Sequence, residues 1–132
     1  MARVLNERGV RDFIRAPEEW LADDLATLRP GPLYVWGNGT QLYLLSGRAP
    51  ASRYLNAAGH LGSAWVGRDQ VRAELMAELA RSTPAVVAVQ LGQDPEFDLE
   101  GFAALRDLLA REYEVQSVAD RYLTWRVYVR RG

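Results

Sequence analysis

The 132-residue chain has no cysteine and one histidine, His60. Without thiols there is no disulfide framework, no thiol nucleophile and no cysteine zinc site. That absence fits cytoplasm and exported space equally. A zinc site with one histidine would have to be mostly carboxylate, an uncommon donor set. No serine, cysteine or carboxylate is spaced to make His60 a general base, so it reads as a loop residue. Long apolar runs are missing too: nothing approaches the roughly 18–20 residues that span a bilayer. The opening "MARVLNERGVRDFIRA" lacks the apolar centre of a signal peptide. Neither charge dominates, with 16 basic and 17 acidic side chains and a net charge of -1. Wholesale attraction to nucleic acid or an anionic membrane is thereby disfavoured. The arginines bunched at Arg121, Arg126, Arg130 and Arg131 read as a solvated strand face and tail.

The length and the apolar fraction of 48% suit one globular domain, large enough to bury a core without metal or disulfide. Residues 1–16 form a lead segment in which Val10, Phe13 and Ile14 hint at a short helix, and residues 17–132 form a single domain. "APEEWLADDLATLRPGP" reads as a helix: Pro17 suits its first turn, Glu18 and Glu19 suit the dipole, and "RPGP" stops it. "LYVW" follows as a buried strand, and a short helix over 40–46 has Thr40 as its cap. The small-residue stretch 56–67 is an irregular loop. "RDQVRAELMAELARSTP" is an amphipathic helix capped by Asp69, with Val71, Leu75 and Leu79 on one face and Pro84 closing it. "AVVAVQL", apolar without alternation, is a strand covered on both faces. A third helix runs from Asp98 as cap through Leu99, Phe102, Leu105 and Leu109.

"EYEVQSV" and "RYLTWRVYVRR" flank a turn at Ala119 and Asp120 and read as an antiparallel hairpin. Its second strand turns Leu123, Trp125, Val127 and Val129 to the core and Tyr122, Thr124, Arg126 and Tyr128 to a wetter side. The order implies an α/β fold: a small layered domain with a central mixed sheet, helices packed on it and the hairpin at the C-terminus. Right-handed crossovers make "LYVW" and "AVVAV" parallel.

The chemistry on offer is sparse. "WGNGTQL" puts Gly37, Asn38 and Gly39 at a strand end, where α/β proteins bind ligands. The third glycine of a dinucleotide fingerprint is Leu42, however, and no lysine occurs near to complete a P-loop. The turn reads as a bend that needs backbone freedom. Arg48 and Arg53, beside Tyr54, could clamp a phosphate or carboxylate. Equally, Arg48 could satisfy nearby carbonyls and Arg53 could pair with a surface acid. The acidic run Asp94, Glu96, Asp98 and Glu100 lacks the EF-hand spacing and reads as structural. Trp20, Trp36 and Trp125 fall at core positions. Trp65, in "HLGSAWVG", either plugs the core from outside or stands exposed to meet a membrane interface or a sugar. No metal site, cofactor motif or catalytic constellation is recognisable.

Taken whole, "LYVWGNGTQLYLLSGRAPASRYL" resembles the segment that opens the C-terminal domain of bacterial glycosyltransferase family 39 membrane proteins. These are relatives of the dolichyl-phosphate-mannose–protein mannosyltransferases and of the aminoarabinose transferase acting on lipid A. The pattern is Trp36-Gly37, Leu42-Tyr43, Ser46-Gly47-Arg48, Pro50 and Ser52-Arg53-Tyr54, and the order of later elements extends the likeness over residues 17–131. The resemblance implies an accessory domain after the last membrane helix, at the extracytoplasmic face of the cytoplasmic membrane. Its parent would transfer a sugar from a polyprenyl-phosphate carrier to a protein or lipid acceptor. The catalytic acid of that family lies in the membrane portion, so no residue here inherits a catalytic role and no cofactor is implied. The implied partners are the membrane-embedded remainder of the chain and, beyond it, lipid-linked sugar or acceptor, with no nucleic acid. Arg48, Arg53 and Tyr54 are then expected at a rim facing the membrane portion. Two other readings stand beside this one: an independent small α/β protein binding a phosphorylated ligand at Gly37, and an interaction module pairing through its hairpin edge.

Overall fold

A computed structural model describes residues 17–37, 39–55, 67–91, 99–116 and 125–132. In chain order they form α1 (Pro17–Thr27), β1 (Leu33–Trp36), α2 (Gln41–Ser46), α3 (Arg68–Ser82), β2 (Val86–Gln90), a 3-10 turn (Leu99–Gly101), α4 (Ala103–Glu112), β3 (Tyr113–Gln116) and β4 (Trp125–Arg130). The strands make one mixed sheet in the order β1-β2-β4-β3. β1 and β2 run parallel with Leu33 opposite Val86, while β4 is antiparallel to both β2 and β3. This is the α/β fold expected from the order of elements, with its parallel pair and its C-terminal antiparallel strands. The hairpin turn at Ala119 and Asp120, the lead segment 1–16, the acidic residues Asp94, Glu96 and Asp98, His60 and Trp65 lie outside the described residues.

The pleat sends alternate side chains to two cores. On one face Tyr34, Trp36, Val87, Val89 and Tyr128 pack with Val71, Leu75 and Leu79 of α3 and Leu105 and Leu109 of α4. On the other, Leu33, Val35, Val86, Ala88, Trp125 and Val127 meet Leu21 and Leu25 of α1 and Leu42 and Tyr43 of α2. β1 and β2 are therefore apolar on both sides, and their sequences do not alternate.

Four local expectations need correction. Tyr128 is not on a wetter face: β4 lies between β2 and β3, and its second face is roofed by the helices of the first core, leaving Arg126 exposed at the strand's start. The third helix does not run from Asp98. A 3-10 turn ends at Gly101, and Phe102 breaks the path at φ -129 and ψ 79 to place its ring 5.3 Å from that of Trp36. Burying an aromatic ring outweighs one more helical turn. Asp69 sits in the first turn of α3, bonded to Arg68, and Gly67 holds the cap position without any side-chain bond. Thr40 is likewise at the cap of α2 in helical conformation, with no cap bond from its hydroxyl. Of the expected core tryptophans, Trp36 and Trp125 are fully buried and Trp20 is half-buried against the second core.

Burial also governs three phenols. Burial first, then Tyr43, pushes the Tyr34 hydroxyl well above its ordinary value, against the opposing field of Arg72. Burial raises Tyr43 as well, although its oxygen accepts the Val35 amide at 2.8 Å. Tyr113, whose hydroxyl donates to the Pro84 carbonyl at 2.6 Å, is pushed up to about 12, again mainly by burial. Raised folded values mean that the unfolded chain releases these protons first. Stability is accordingly whole below pH ~10 and falls as pH climbs through 10 towards 12. Absorbance at 295 nm is expected to show these tyrosines ionising together with loss of far-UV ellipticity. Ionisation of every tyrosine near pH 10 in a chain that stays folded would contradict their burial.

Candidate functional site

The stretch from Trp36 to Tyr54 was the sequence's best claim to a site, and the structure distributes it over three places. Gly37 follows β1 at the carboxyl end of the sheet with φ 143, a conformation that favours glycine. A Cβ there would lie 2.5 Å from the Cβ of Gln90 on β2 and 2.7 Å from its Oε1. The bend thus closes on a neighbouring strand's side chain. Asn38 lies outside the described residues, and Gly39 packs under Trp125, whose ring would stand 2.6 Å from a Cβ.

Arg48 is at the other end of β1. After α2, Gly47 takes a left-handed φ of 72 and turns the chain back. The Arg48 guanidinium then reaches the end of α1, where Nε and Nη2 donate to the Leu25 carbonyl at 3.0 and 2.8 Å. Nη2 also donates to Leu28 at 2.9 Å and Nη1 to Gly31 at 2.8 Å. A helix end leaves carbonyls without partners, and one planar fork collects them. Partial burial lowers the pKa of Arg48 from its ordinary value. Four strand residues, about 13 Å of extended chain, separate this clamp from Gly37.

Arg53 and Tyr54 form the third place, docked on α3. Glu78 accepts the Ser52 hydroxyl at 2.8 Å, the Arg53 amide at 3.0 Å and Arg53 Nε at 3.0 Å. Glu74 accepts Arg53 Nη2 at 3.0 Å and the Tyr54 hydroxyl. The Tyr54 hydroxyl is the chief cause holding the Glu74 carboxyl below its ordinary value. Arg53 is pushed above its usual value, first by Tyr54 and then by the glutamates. A shallow depression of about 610 Å³ opens beside them, lined by Ser52, Arg53, Leu55, Glu78 and Arg81. Its hydroxyls are engaged: Ser82 Oγ lies 2.7 Å from the Ala51 carbonyl and 2.8 Å from that of Glu78. Arg81, exposed, is the one cation there without an ion pair among the described residues. Such an arrangement holds a loop to a helix. The two hydroxyls set against carboxylates, Ser52 on Glu78 and Tyr54 on Glu74, are spent on that docking, and Ser52 is buried and also accepts the Tyr54 amide at 3.0 Å.

Compared with known proteins, the chain matches no family model, no curated protein and no solved structure.

One arrangement escaped the sequence reading. Arg72 of α3 is buried, with its guanidinium 4.5 Å over the Phe102 ring and 5.9 Å from Trp36 and with Nη1 donating to the Gly101 carbonyl at 2.8 Å. Burial and nearby Arg68 lower its pKa, while Asp69 and Tyr34 oppose that. Stacked arginine of this kind ties the start of α4 to α3 and β1. The available signal was its place directly after Val71, on the same buried face as Leu75. Among the described residues no group of three or more metal-ligating side chains occurs, and no helix is long and apolar enough to cross a membrane.

Proposed function

We propose that this chain is an accessory domain of a membrane glycosyltransferase, hung on the extracytoplasmic side of a parent that transfers a sugar from a polyprenyl-phosphate carrier to a protein or lipid acceptor. Its role in this reading is to brace the membrane portion, with no chemistry of its own. The observation that supports it is how the family-like segment is spent. Trp36 and Leu42 fill the two cores, the Tyr43 hydroxyl accepts the Val35 amide, Arg48 clamps α1, and Ser52, Arg53 and Tyr54 dock on α3. A pattern so consumed by folding is a signature of architecture rather than of a reaction centre. Within the same segment Leu44 and Leu45 of α2 stay 86% and 47% exposed, apolar surface suited to an apolar neighbour.

Immunoblotting of fractionated source cells with an antibody to this domain tests the reading. The expected result is a band in the membrane fraction, several times larger than 14.8 kDa and resistant to carbonate extraction. A band near 14.8 kDa in the supernatant would overturn it.

A further inference from the structure

The two edges of the sheet are treated differently. Along β1 three outward backbone groups are occupied: the Leu33 amide donates to Ala49 at 2.9 Å, the Leu33 carbonyl accepts from Ala51 at 2.9 Å, and the Val35 amide goes to the Tyr43 hydroxyl at 2.8 Å. Pro50 completes that seal as a parallel bridge partner of Leu33. The opposite edge is β3. There the Arg131 amide donates to the Glu112 carbonyl at 2.9 Å, and the same register pairs Glu114 with Val129 and Gln116 with Val127. Antiparallel alternation therefore directs the amides and carbonyls of the even-numbered residues to β4 and those of Tyr113 and Val115 outward. The Tyr113 amide is taken by Leu109 at the end of α4. Among the described residues Val115 is left with an outward donor and acceptor, under a side chain that is 54% exposed. Exposed edges are ordinarily blunted by charge, proline, a bulge or shortness. "YEVQ" is short and carries Glu114, but Glu114 bonds to β4 and the outward residue, Val115, is uncharged, with no lysine, proline or bulge beside it.

We propose that β3 pairs antiparallel with β3 of a second copy, through a two-fold axis at Val115, joining two four-stranded sheets into one of eight. The strand complements itself in that register. Val115 meets its own counterpart as a closely bonded pair exchanging both hydrogen bonds, and its exposed side chain packs on its twin. Glu114 falls opposite Gln116 on either side of the axis, an acid beside an amide donor. Shifting the axis to Glu114 would set two carboxylates face to face and aim a bond at the Tyr113 amide, which α4 already holds. The edge is short, so the dimer is weak, with a dissociation constant on the order of 100 µM. This inference concerns a surface outside the segment that supports the proposed function and stands independently of it.

Proline at 115 removes only the outward amide, because the bonds to β4 come from the even-numbered residues, and proline is tolerated where the amide faces solvent. Lysine at 115 keeps both backbone groups and places two like charges at the axis. Sedimentation velocity on the chain from roughly 5 µM to 1 mM, a span bracketing that constant, is expected to show a monomer–dimer equilibrium. Val115→Pro and Val115→Lys should each weaken it by tenfold or more, and the Val115 amide should gain exchange protection with concentration. If Val115→Pro fails to fold, Val115→Lys and the amide protection decide. A wild-type chain monomeric throughout, or a dimer that Val115→Lys leaves unchanged, would overturn the proposal.

Discussion

Replacing Gly37 with alanine is expected to cost about 3–5 kcal/mol of stability, combining backbone strain with a steric clash. The φ of 143 is one that side-chain-bearing residues rarely adopt, and the new methyl would meet Gln90 Cβ at 2.5 Å. Gln90 Oε1 can swing aside, but its Cβ moves only with β2, which is held between β1 and β4. Gly47 supplies the comparison: its φ is also positive, at 72, yet a Cβ there meets nothing within 4 Å. Gly47→Ala should cost only the left-handed penalty, about 1–2 kcal/mol. Urea unfolding of both variants separates the two effects. Adding Gln90→Gly to Gly37→Ala should recover part of the loss as a favourable coupling. If Gly37→Ala proved no worse than Gly47→Ala, the turn would have room at Gln90, and a ligand cradle at the carboxyl end of β1 would regain its case.

Arg48→Ala should cost about 2–3 kcal/mol, the range for charged hydrogen bonds lost from a partly buried cluster. It would take the fork's bonds from the carbonyls of Leu25, Leu28 and Gly31, of which Leu25 keeps the Leu28 amide at 3.3 Å. Arg48→Lys should restore less than half of this, since an ammonium has no planar fork to span three acceptors. Arg53→Ala is the control. Its ion pairs to Glu74 and Glu78 involve a side chain that is 66% exposed, where solvent screening leaves such pairs little net worth, so its loss should be well below that of Arg48→Ala. Chemical denaturation of the three variants gives the order. Equal losses for Arg48→Ala and Arg53→Ala would mean that water replaces the Arg48 fork without penalty.

Much of the architecture was legible because its signals are local. "LYVW" and "AVVAVQ" advertise burial on both faces by failing to alternate, and they are the sheet's parallel pair, β1 at the edge and β2 inside. "RPGP" ends α1, Pro84 follows α3, and valines at alternate positions mark β4. Where local preference and distant packing disagreed, packing prevailed. Phe102 left the helical path to reach Trp36, and the cap positions of α2 and α3 went without the side-chain bonds that Thr40 and Asp69 could have made.

The sequence of the chain settled which segments are helix or strand and which of their faces are apolar, since 3.6- and 2-residue periods are properties of neighbours in the chain. It left open how the C-terminal hairpin joins the parallel pair. β4 inserts between β2 and β3, an arrangement decided by pairing of residues far apart, such as Val86 with Val129. That insertion buries Val127 and Tyr128, half-buries Val129, and leaves β3 at the edge of the sheet. The candidate site was opaque for the same reason. Gly37 and Arg48 share one short stretch of sequence, but the chain leaves β1 at its carboxyl end, turns through α2 and returns to its amino end. Proximity along the chain therefore became separation in space, while Arg72, Trp36 and Phe102, remote in sequence, came together through the packing of α3 and α4 on the sheet.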